Sequence, residues 1–129
     1  MSNYLNGKKI LITGVNGFIG GNLCKMLVEK GANVFGLIRN GSKDTFLFLE
    51  ELSDSINIIE GDLNDKDLMC RIISEEQINI VFHLAAQVEV GIGMANPYLT
   101  FETNIRGTYT LLESIRLFPE YIEAVIVAS

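Results

Sequence analysis

Three glycines at a regular spacing end the first apolar run of this chain. Residues 10–23 read ILITGVNGFIGGNL, which places Gly14, Gly17 and Gly20 three residues apart, between a buried-type strand and a helical pattern. In such a strand–turn–helix unit, the first glycine permits a sharp turn, the second lets the backbone approach a phosphate, and the third lets the helix pack closely on the sheet. The free N–H groups at the helix N-terminus attract anions. The spacing therefore predicts a dinucleotide site, with a ligand-free glycine-rich turn as the alternative.

Apolar runs of strand character alternate with stretches of helical periodicity along the chain. The predicted strands cover residues 8–13, 33–39, 56–62, 78–86 and 122–129. Strands that alternate with helices form a parallel sheet with helices on both faces. Right-handed crossovers then favour a doubly wound Rossmann-type α/β fold of strand order 3-2-1-4-5, truncated after strand five. Residues 1–129 are thus expected to form one incomplete domain, with its ligand at the carboxyl ends of the strands, near the switch between strands one and four.

The helical patterns also place apolar side chains together on one face of each helix. The residues that share a face are Ile19, Leu23, Met26 and Leu27 in the first helix, Leu68, Met69, Ile72 and Ile73 in the next, and Phe101, Ile105, Leu112 and Ile115 in the helix after Pro97. Asn64 is the predicted N-cap of the second of these helices, because asparagine side chains accept hydrogen bonds from free helical N–H groups. Residues 45–52 are predicted to form a further short helix.

The composition fits a globular domain without nucleic-acid or membrane partners. Hydrophobic residues make up 48% of the chain, and 16 acidic residues against 10 basic ones give a net charge of -6. An acidic protein is poorly matched to nucleic acid or to an anionic membrane. No apolar run approaches the ~18 residues of a membrane span, and the N-terminus lacks the apolar centre of a secretory signal. We therefore expect a cytoplasmic protein that holds any anionic ligand by local geometry.

The two cysteines and the single histidine are expected to be structural. Cys24 and Cys70 each lie within an apolar helical pattern, which is typical of reduced core thiols in a cytoplasmic protein. His83 lies within an apolar strand, where a hydrogen-bonded structural histidine is favoured over a catalytic base. One histidine without clustered cysteines is not a credible metal site, so no metal is expected.

Five segments, in order along the chain, resemble one enzyme superfamily. They are TGVNGFIG (residues 13–20), GDL (61–63), VFHLAAQ (81–87), NPYLTFETNIRGTYTLLES (96–114) and VIVAS (125–129). The chain resembles the extended short-chain dehydrogenases/reductases, the NAD-dependent epimerases and dehydratases that act on nucleotide sugars. VFGLIRNGS and HLAAQVEVGIGMANP are most similar to sugar-nucleotide 4,6-dehydratases of the GDP-mannose or CDP-glucose type, and the nucleotide-sugar 4-epimerases are the neighbouring group.

The resemblance implies a function and a set of contacts. It implies the cofactor-binding N-terminal portion of an NAD(P)-dependent 4,6-dehydratase, with a 4-epimerase or a non-catalytic dinucleotide-binding module as alternatives. Together with the glycine spacing, it gives these cofactor contacts: Gly14, Asn16, Gly17, Phe18, Ile19, Gly20, Arg39, Asp62, Leu63, Leu84, Ala85 and Ala86. For Asp62 the implied partner is adenine, and the alternative role is to cap the turn before the next helix. Asn104 is implied to support the active-site strand, or else is an ordinary polar residue of a helix.

Arg39 bears on the choice between NADP and NAD. An NAD site usually has an acidic residue at the end of strand two, where it binds the ribose 2′-hydroxyl, but this strand ends in LIRNGSKD. The planar guanidinium of arginine suits a 2′-phosphate, because its donors can engage two oxygens at once. Arg39 therefore favours NADP, as does the resemblance of GLIRN to dehydratases that use NADP. NAD stays possible, since Arg39 could be a solvated residue at a strand end.

The catalytic pair that the resemblance implies is missing from its expected place. These enzymes use a tyrosine four residues before a lysine. The tyrosines that lack such a lysine are Tyr98, Tyr109 and Tyr121. Tyr4 and Lys8 have the spacing but precede strand one, and Ser129 resembles only the residue just before the catalytic serine or threonine. We therefore expect this chain to bind a dinucleotide but not to turn over a nucleotide sugar by itself.

Strand five bears on association between copies of the chain. Its sequence AVIVA (residues 124–128) would form an apolar edge, and unpaired edges favour association. We expect a homo-oligomer through this edge, in addition to the helix-mediated dimer that the resemblance implies. In the full-length enzyme, the resemblance implies a nucleotide-sugar substrate as the other partner.

Overall fold

Five parallel strands form one sheet in the computed structural model, which describes residues 3–39, 51–85 and 94–128. The strands are β1 (Lys9–Thr13), β2 (Asn33–Ile38), β3 (Asn57–Glu60), β4 (Ile80–His83) and β5 (Ala124–Val127). The other elements are helices α1 (Phe18–Glu29), α2 (Lys66–Glu75), α3 (Pro97–Phe101) and α4 (Gly107–Leu117), a 3-10 turn at Leu52–Ser55 and a π turn at Glu102–Arg106. The strand order β3-β2-β1-β4-β5 confirms the predicted doubly wound arrangement.

Strand β1 lies at the centre of the sheet, paired with β2 on one side and β4 on the other. Ile10 and Ile12 pack on one face with Cys24 and Leu27 of α1. Leu11 packs on the opposite face in the core cluster formed with α2 and α4. Successive strand residues point to opposite faces, so this continuous apolar strand is buried on both. The order reverses between β2 and β4, which places the switch point of the sheet directly after β1.

Helix α1 buries only part of the apolar stripe that the sequence indicates: Leu27 is buried and Leu23 packs against the core. Its buried residues are Gly20, Gly21, Cys24 and Leu27, whereas Ile19 and Met26 are 70% and 43% exposed. The stripe is therefore split, with Ile19 and Met26 on its exposed side. Two adjacent buried glycines, Gly20 and Gly21, form part of the face that packs on the sheet. On α2, by contrast, Met69, Ile72 and Ile73 are buried, and Leu68 packs beside them.

The apolar face that the pattern places after Pro97 is largely exposed. Phe101, Ile105 and Leu112 are exposed, and of the predicted set only Ile115 packs against the core. The residues of α4 that are buried are Gly107, Thr110, Leu111 and Ser114. Three small residues and Leu111 therefore face inwards, and the apolar stripe with Phe101 and Ile105 faces outwards.

Local details refine three other predictions. Asp65, not Asn64, caps α2, because its side chain accepts a hydrogen bond from the Leu68 N–H at 3.1 Å. Asn64 instead donates to the Glu102 carbonyl at 3.2 Å and so ties the loop after β3 to the π turn. Of the predicted short helix at 45–52, only the last two residues are described, where the 3-10 turn begins at Leu52.

Both cysteines are free: Cys24 is buried and Cys70 is half-buried. Within the described ranges, no helix is both long enough and apolar enough to cross a membrane.

Candidate functional site

A cleft of about 1110 Å³ opens where the strands end, at the carboxyl edge of the sheet. Small-molecule sites usually measure roughly 300–1,000 Å³, so this cleft is large enough for an extended ligand. Eleven of the twelve predicted cofactor contacts line it: Gly14, Asn16, Gly17, Phe18, Ile19, Gly20, Arg39, Asp62, Leu63, Leu84 and Ala85. Ala86 lies outside the described residues. Residues distant in sequence thus meet in one cleft, because each follows a strand of the same parallel sheet.

The glycine turn leaves no room for side chains at two of its positions. Gly14 has a positive φ of 73°, and a Cβ built on it would lie 2.8 Å from the backbone nitrogen of Ala85. A Cβ on Gly20 would collide with the carbonyl oxygen of Gly14. The strand, the turn and the first turn of α1 are therefore in direct backbone contact, which brings the start of the helix to the end of β1.

The N-terminus of α1 forms one wall of the cleft. Gly17 is the N-cap in an extended conformation without a side-chain cap, and the first turn contains no acidic residue. The first N–H groups of a helix lack partners within the helix, and its N-terminus has a partial positive charge. Gly17, Phe18, Ile19 and Gly20 all line the cleft, so this wall is suited to an anionic group such as a pyrophosphate.

Two charged side chains line the cleft after β2 and β3. Arg39 is exposed directly after β2, at the position predicted for a group that binds the 2′ substituent of the ribose. Asp62 follows β3, and its Oδ1 accepts a hydrogen bond from the Asn64 N–H at 2.9 Å. Asp62 therefore does close the turn before α2, as the alternative role required, while it also lines the cleft. Leu63 is buried beside it and packs against Gly107 at the start of α4.

His83 at the end of β4 is buried and hydrogen-bonded on both ring nitrogens. Its Nδ1 lies 2.7 Å from Thr13 Oγ1, and its Nε2 lies 2.9 Å from Thr108 Oγ1. Burial lowers the pKa of His83, so the neutral ring is favoured. His83 is not among the described residues that line the cleft. This geometry agrees with the structural role that its apolar strand predicted.

Sequence reasoning missed a helical wall of the cleft. Its residues are Tyr98, Leu99, Glu102, Thr103 and Arg106. They recur at spacings of three or four residues, which is the signal that could have identified a cleft-facing surface had it been read separately from the core face. Arg106 pairs with Glu102 at 2.7 Å, and the hydrogen bond to Glu102 raises the pKa of the arginine. Asn104 lies in the same π turn, and its carbonyl accepts a hydrogen bond from Thr108.

The tyrosine and lysine with the catalytic spacing lie at the opposite end of the strands from the cleft, where the strands begin. Tyr4 donates its hydroxyl to Glu123 at 2.6 Å, and Lys8 Nζ lies 2.7 Å from the same carboxylate. The ammonium group of Lys8 also lies 4.5 Å from the centre of the Tyr4 ring. Hydrogen bonds from Lys8 and Tyr4 lower the pKa of Glu123, which keeps the carboxylate charged. This trio joins the N-terminal segment to the start of β5 and does not approach the cleft.

Comparison with known proteins decides the family. The family model described as GDP-mannose 4,6 dehydratase matches residues 11–129. The chain belongs to this family. One curated relative is the CDP-glucose 4,6-dehydratase of Salmonella typhimurium, which is 36% identical over 115 residues, or 88% of this chain and 32% of the relative. The chain spans about a third of the length of most of the curated relatives it matches, among them the CDP-paratose 2-epimerase of Salmonella typhi.

Solved structures of family relatives have the same architecture. The epimerase Mth375 of Methanothermobacter thermautotrophicus is 29% identical, with a TM-score of 0.86 over 98% of this chain and 36% of that one. The structure of MoeE5 in complex with UDP-glucose and NAD is 30% identical, with a TM-score of 0.76 over 94% of this chain and 36% of that one. The fold and the family predicted from the sequence are thus confirmed. The cofactor contacts within the family stay predictions for this chain.

Proposed function

We propose that this chain is the cofactor-binding portion of an NAD(P)-dependent nucleotide-sugar 4,6-dehydratase, which forms 4-keto-6-deoxy sugar nucleotides. The observation that carries the proposal is the cleft at the carboxyl edge. At Gly14 and Gly20 the backbone segments pack too closely for any side chain, which brings the N-terminus of α1, without an acidic residue in its first turn, to the wall of this cleft. Membership of the dehydratase family supports the same conclusion.

The residues of the cleft fit a nicotinamide dinucleotide along its length. The pyrophosphate would lie at the N-terminus of α1, where Gly17 lets it approach the backbone. Asp62 and Leu63 would bind the adenine end, and Leu84 and Ala85 would pass beneath the centre of the cofactor. When bound, the nicotinamide supplies hydride transfer to and from the sugar. The chain's own residues bind and orient the cofactor for that step.

NADP is the preferred cofactor in this proposal, and NAD is the alternative. Arg39 is an exposed guanidinium that lines the cleft after β2, where it can form paired hydrogen bonds with a 2′-phosphate. NAD is the alternative because the related protein MoeE5 was solved in complex with NAD.

The position of Tyr4 and Lys8 supports a further part of the proposal, that this polypeptide by itself does not turn over nucleotide sugars. Incubation of the 129-residue chain with NADP and either GDP-mannose or CDP-glucose should give no 4-keto product. Detection of that product from a chain of verified mass would contradict the proposal. A 4-epimerase is the second candidate for the complete enzyme, because the UDP-glucose 4-epimerase of Thermotoga maritima superimposes closely on the chain. A non-catalytic dinucleotide-binding module is the candidate outside enzyme chemistry.

Association of the chain with itself is also part of the proposal. An apolar stripe of exposed side chains follows the outer face of α3, the π turn and α4: Phe101, Ile105, Tyr109 and Leu112. At the edge of the sheet, Ile126 and Val127 of β5 are 42% and 43% exposed. Contiguous exposed apolar surface and unpaired strand edges both favour association, so we propose a homo-oligomer.

Calorimetric titration with NADP and, separately, NAD tests the cofactor assignment. We expect saturable binding with NADP preferred, and Arg39→Ala should abolish the preference while it preserves binding. Arg71→Ala is the matched control, because Arg71 is an exposed arginine on α2 that does not line the cleft. Preference for NAD in the unmodified chain would contradict the role of Arg39 but not the cleft. Binding of neither dinucleotide would contradict the proposed function itself.

A further inference from the structure

A continuous chain of side-chain hydrogen bonds lies behind the cleft and crosses three elements. It begins at Thr13 of β1, passes through the ring of His83 on β4, and reaches Thr108 of α4. Thr108 Oγ1 then donates to the carbonyl of Asn104 in the π turn at 3.0 Å. The central ring is only 3% exposed, so water does not compete freely for these bonds.

The direction of every bond in this chain is determined by its first member. Thr13 Oγ1 accepts from the N–H of Ala85 at 3.2 Å and shares the N–H of Leu84 at 3.1 Å with the Thr13 carbonyl. A hydroxyl oxygen has two lone pairs and one proton. Since both lone pairs face amide donors, the Thr13 proton is donated to His83 Nδ1.

The ring then transmits this direction to the helix. Because Nδ1 accepts, the neutral ring carries its proton on Nε2 and donates it to Thr108 Oγ1. That leaves the Thr108 proton for the Asn104 carbonyl. The opposite tautomer would direct a third donor at Thr13 Oγ1 and would place two acceptors, Nε2 and the Asn104 carbonyl, around a single Thr108 proton. One tautomer alone satisfies all the donors and acceptors of the chain.

Both ends of this chain adjoin the cleft. Thr13 immediately precedes Gly14, and the amides that it accepts belong to Leu84 and Ala85, which line the cleft. At the other end, Asn104 lies between Thr103 and Arg106 of the helical wall. The buried ring therefore connects the backbone floor of the cleft with its helical wall.

We propose that His83 is a positioning residue, which as its Nε2–H tautomer fixes the spacing between the backbone that underlies the cofactor and the π turn that forms the opposing wall. This inference rests on the proposed function, since it assigns to the cleft a cofactor whose affinity depends on that spacing. If the proposal is correct, a change at Thr108, which does not line the cleft, alters the backbone of Leu84 and Ala85 through the His83 ring.

The tautomer is tested directly by ¹⁵N NMR of the imidazole in the unliganded chain. We expect the shifts of a neutral ring, with Nδ1 as the unprotonated acceptor and Nε2 as the protonated donor at neutral pH. A ring protonated on Nδ1, alone or together with Nε2, would overturn the proposal, because Thr13 could no longer donate to it.

The positioning role is tested with Thr108→Val, which removes only the last hydroxyl of the hydrogen-bond chain. The amides of Leu84 and Ala85 should exchange faster with solvent, and NADP should bind roughly three- to tenfold more weakly, the effect of about one hydrogen bond. Thr108→Ser, which keeps the hydroxyl, should restore both. Ser114→Ala is the matched control, because its hydroxyl also donates to a carbonyl one turn earlier in α4, that of Thr110, which is not part of the hydrogen-bond chain.

Each result decides a different claim. If exchange and affinity in Thr108→Val equal those of the unmodified chain, or if Ser114→Ala shows equal losses, the positioning role is wrong. If the unmodified chain binds neither dinucleotide, the proposed function is wrong, and amide exchange at Leu84 and Ala85 still decides whether the ring transmits the effect of Thr108.

Discussion

The α-carbon of Gly14 lies so close to the chain after β4 that a Cβ built on it would be 2.8 Å from the backbone nitrogen of Ala85. This contact joins the two strands on either side of the switch point and places two predicted cofactor contacts against each other. It also makes a side chain at residue 14 doubly unfavourable, because Gly14 has a positive φ as well.

Gly14→Ala should therefore destabilise the fold more than a positive φ alone would. Gly7 is the matched control, since its φ is 76° and nothing lies within 4 Å of its Cβ position. Left-handed backbone costs a non-glycine residue roughly 1–2 kcal/mol, which is the loss expected for Gly7→Ala. Gly14→Ala should cost more and should also abolish dinucleotide binding. Denaturant unfolding measures the free energies, and equal losses for the two variants would show that the contact with Ala85 is not tight.

Protonation of His83 should destabilise the fold as the pH falls. Burial lowers the pKa of this ring below its ordinary value of 6.5, so the unfolded chain binds the proton more tightly than the folded chain does. Stability is therefore complete above the unfolded pKa, declines as the pH drops below it, and has lost the whole contribution once the pH is below the folded pKa. The neighbours facing the ring, Thr13 and Thr108, carry no charge that would offset this effect.

The measurement for this prediction is denaturant unfolding at about pH 7.5 and about pH 5.5, above the range in which ordinary carboxylates titrate. His83→Gln removes the titrating group and should show a smaller pH dependence over that interval. An identical pH dependence in the two proteins would mean that His83 does not titrate differently on folding.

Cys24 should be unreactive in the folded chain. Burial raises the pKa of its thiol to about 11, and the thiolate is the nucleophile in alkylation. Iodoacetamide near neutral pH should therefore modify Cys24 only after denaturation, as followed by mass spectrometry of its peptide. Rapid modification in the native protein would show that α1 separates from the sheet.

A charge on the apolar stripe along α3, the π turn and α4 should weaken self-association. Ile105 is 56% exposed in the middle of that stripe, and an aspartate there would be desolvated in any helix-mediated interface. We expect Ile105→Asp to shift the sedimentation of the chain towards monomer, with Met26→Asp on the exposed side of α1 as the control. If Ile105→Asp sediments as the unmodified chain does and that chain is oligomeric, the stripe is not the interface and the β5 edge becomes the candidate.

Periodicity predicted the sheet and the apolar faces of the helices, but not which of those faces are buried. The apolar runs and the spacing of Gly14, Gly17 and Gly20 were sufficient to predict the strand order and the site of the cleft. They could not show that Gly20 and Gly21 would be buried while Met26 of the same helix faces solvent. Such packing depends on how closely two elements approach, which no local pattern records.

The helical wall of the cleft depends on contacts between distant parts of the chain. Arg106 lines the cleft from a π turn, and Asn64 donates a hydrogen bond to the Glu102 carbonyl of that turn. Nothing in the sequence near Pro97 indicates that turn. Likewise, an apolar strand around His83 indicates burial, but the two threonines that bind the ring are 70 and 25 residues away.

The central claim is that the cleft at the carboxyl edge of the sheet binds a nicotinamide dinucleotide. We would test it first by titrating the ¹⁵N-labelled chain with NADP and following the backbone amide signals. The account predicts saturable shifts concentrated at Gly17, Ile19, Asp62 and Ala85, with the amides near Tyr4 and Glu123 unchanged. Shifts centred on that opposite end of the strands, or no shifts at all with NADP and NAD, would contradict it.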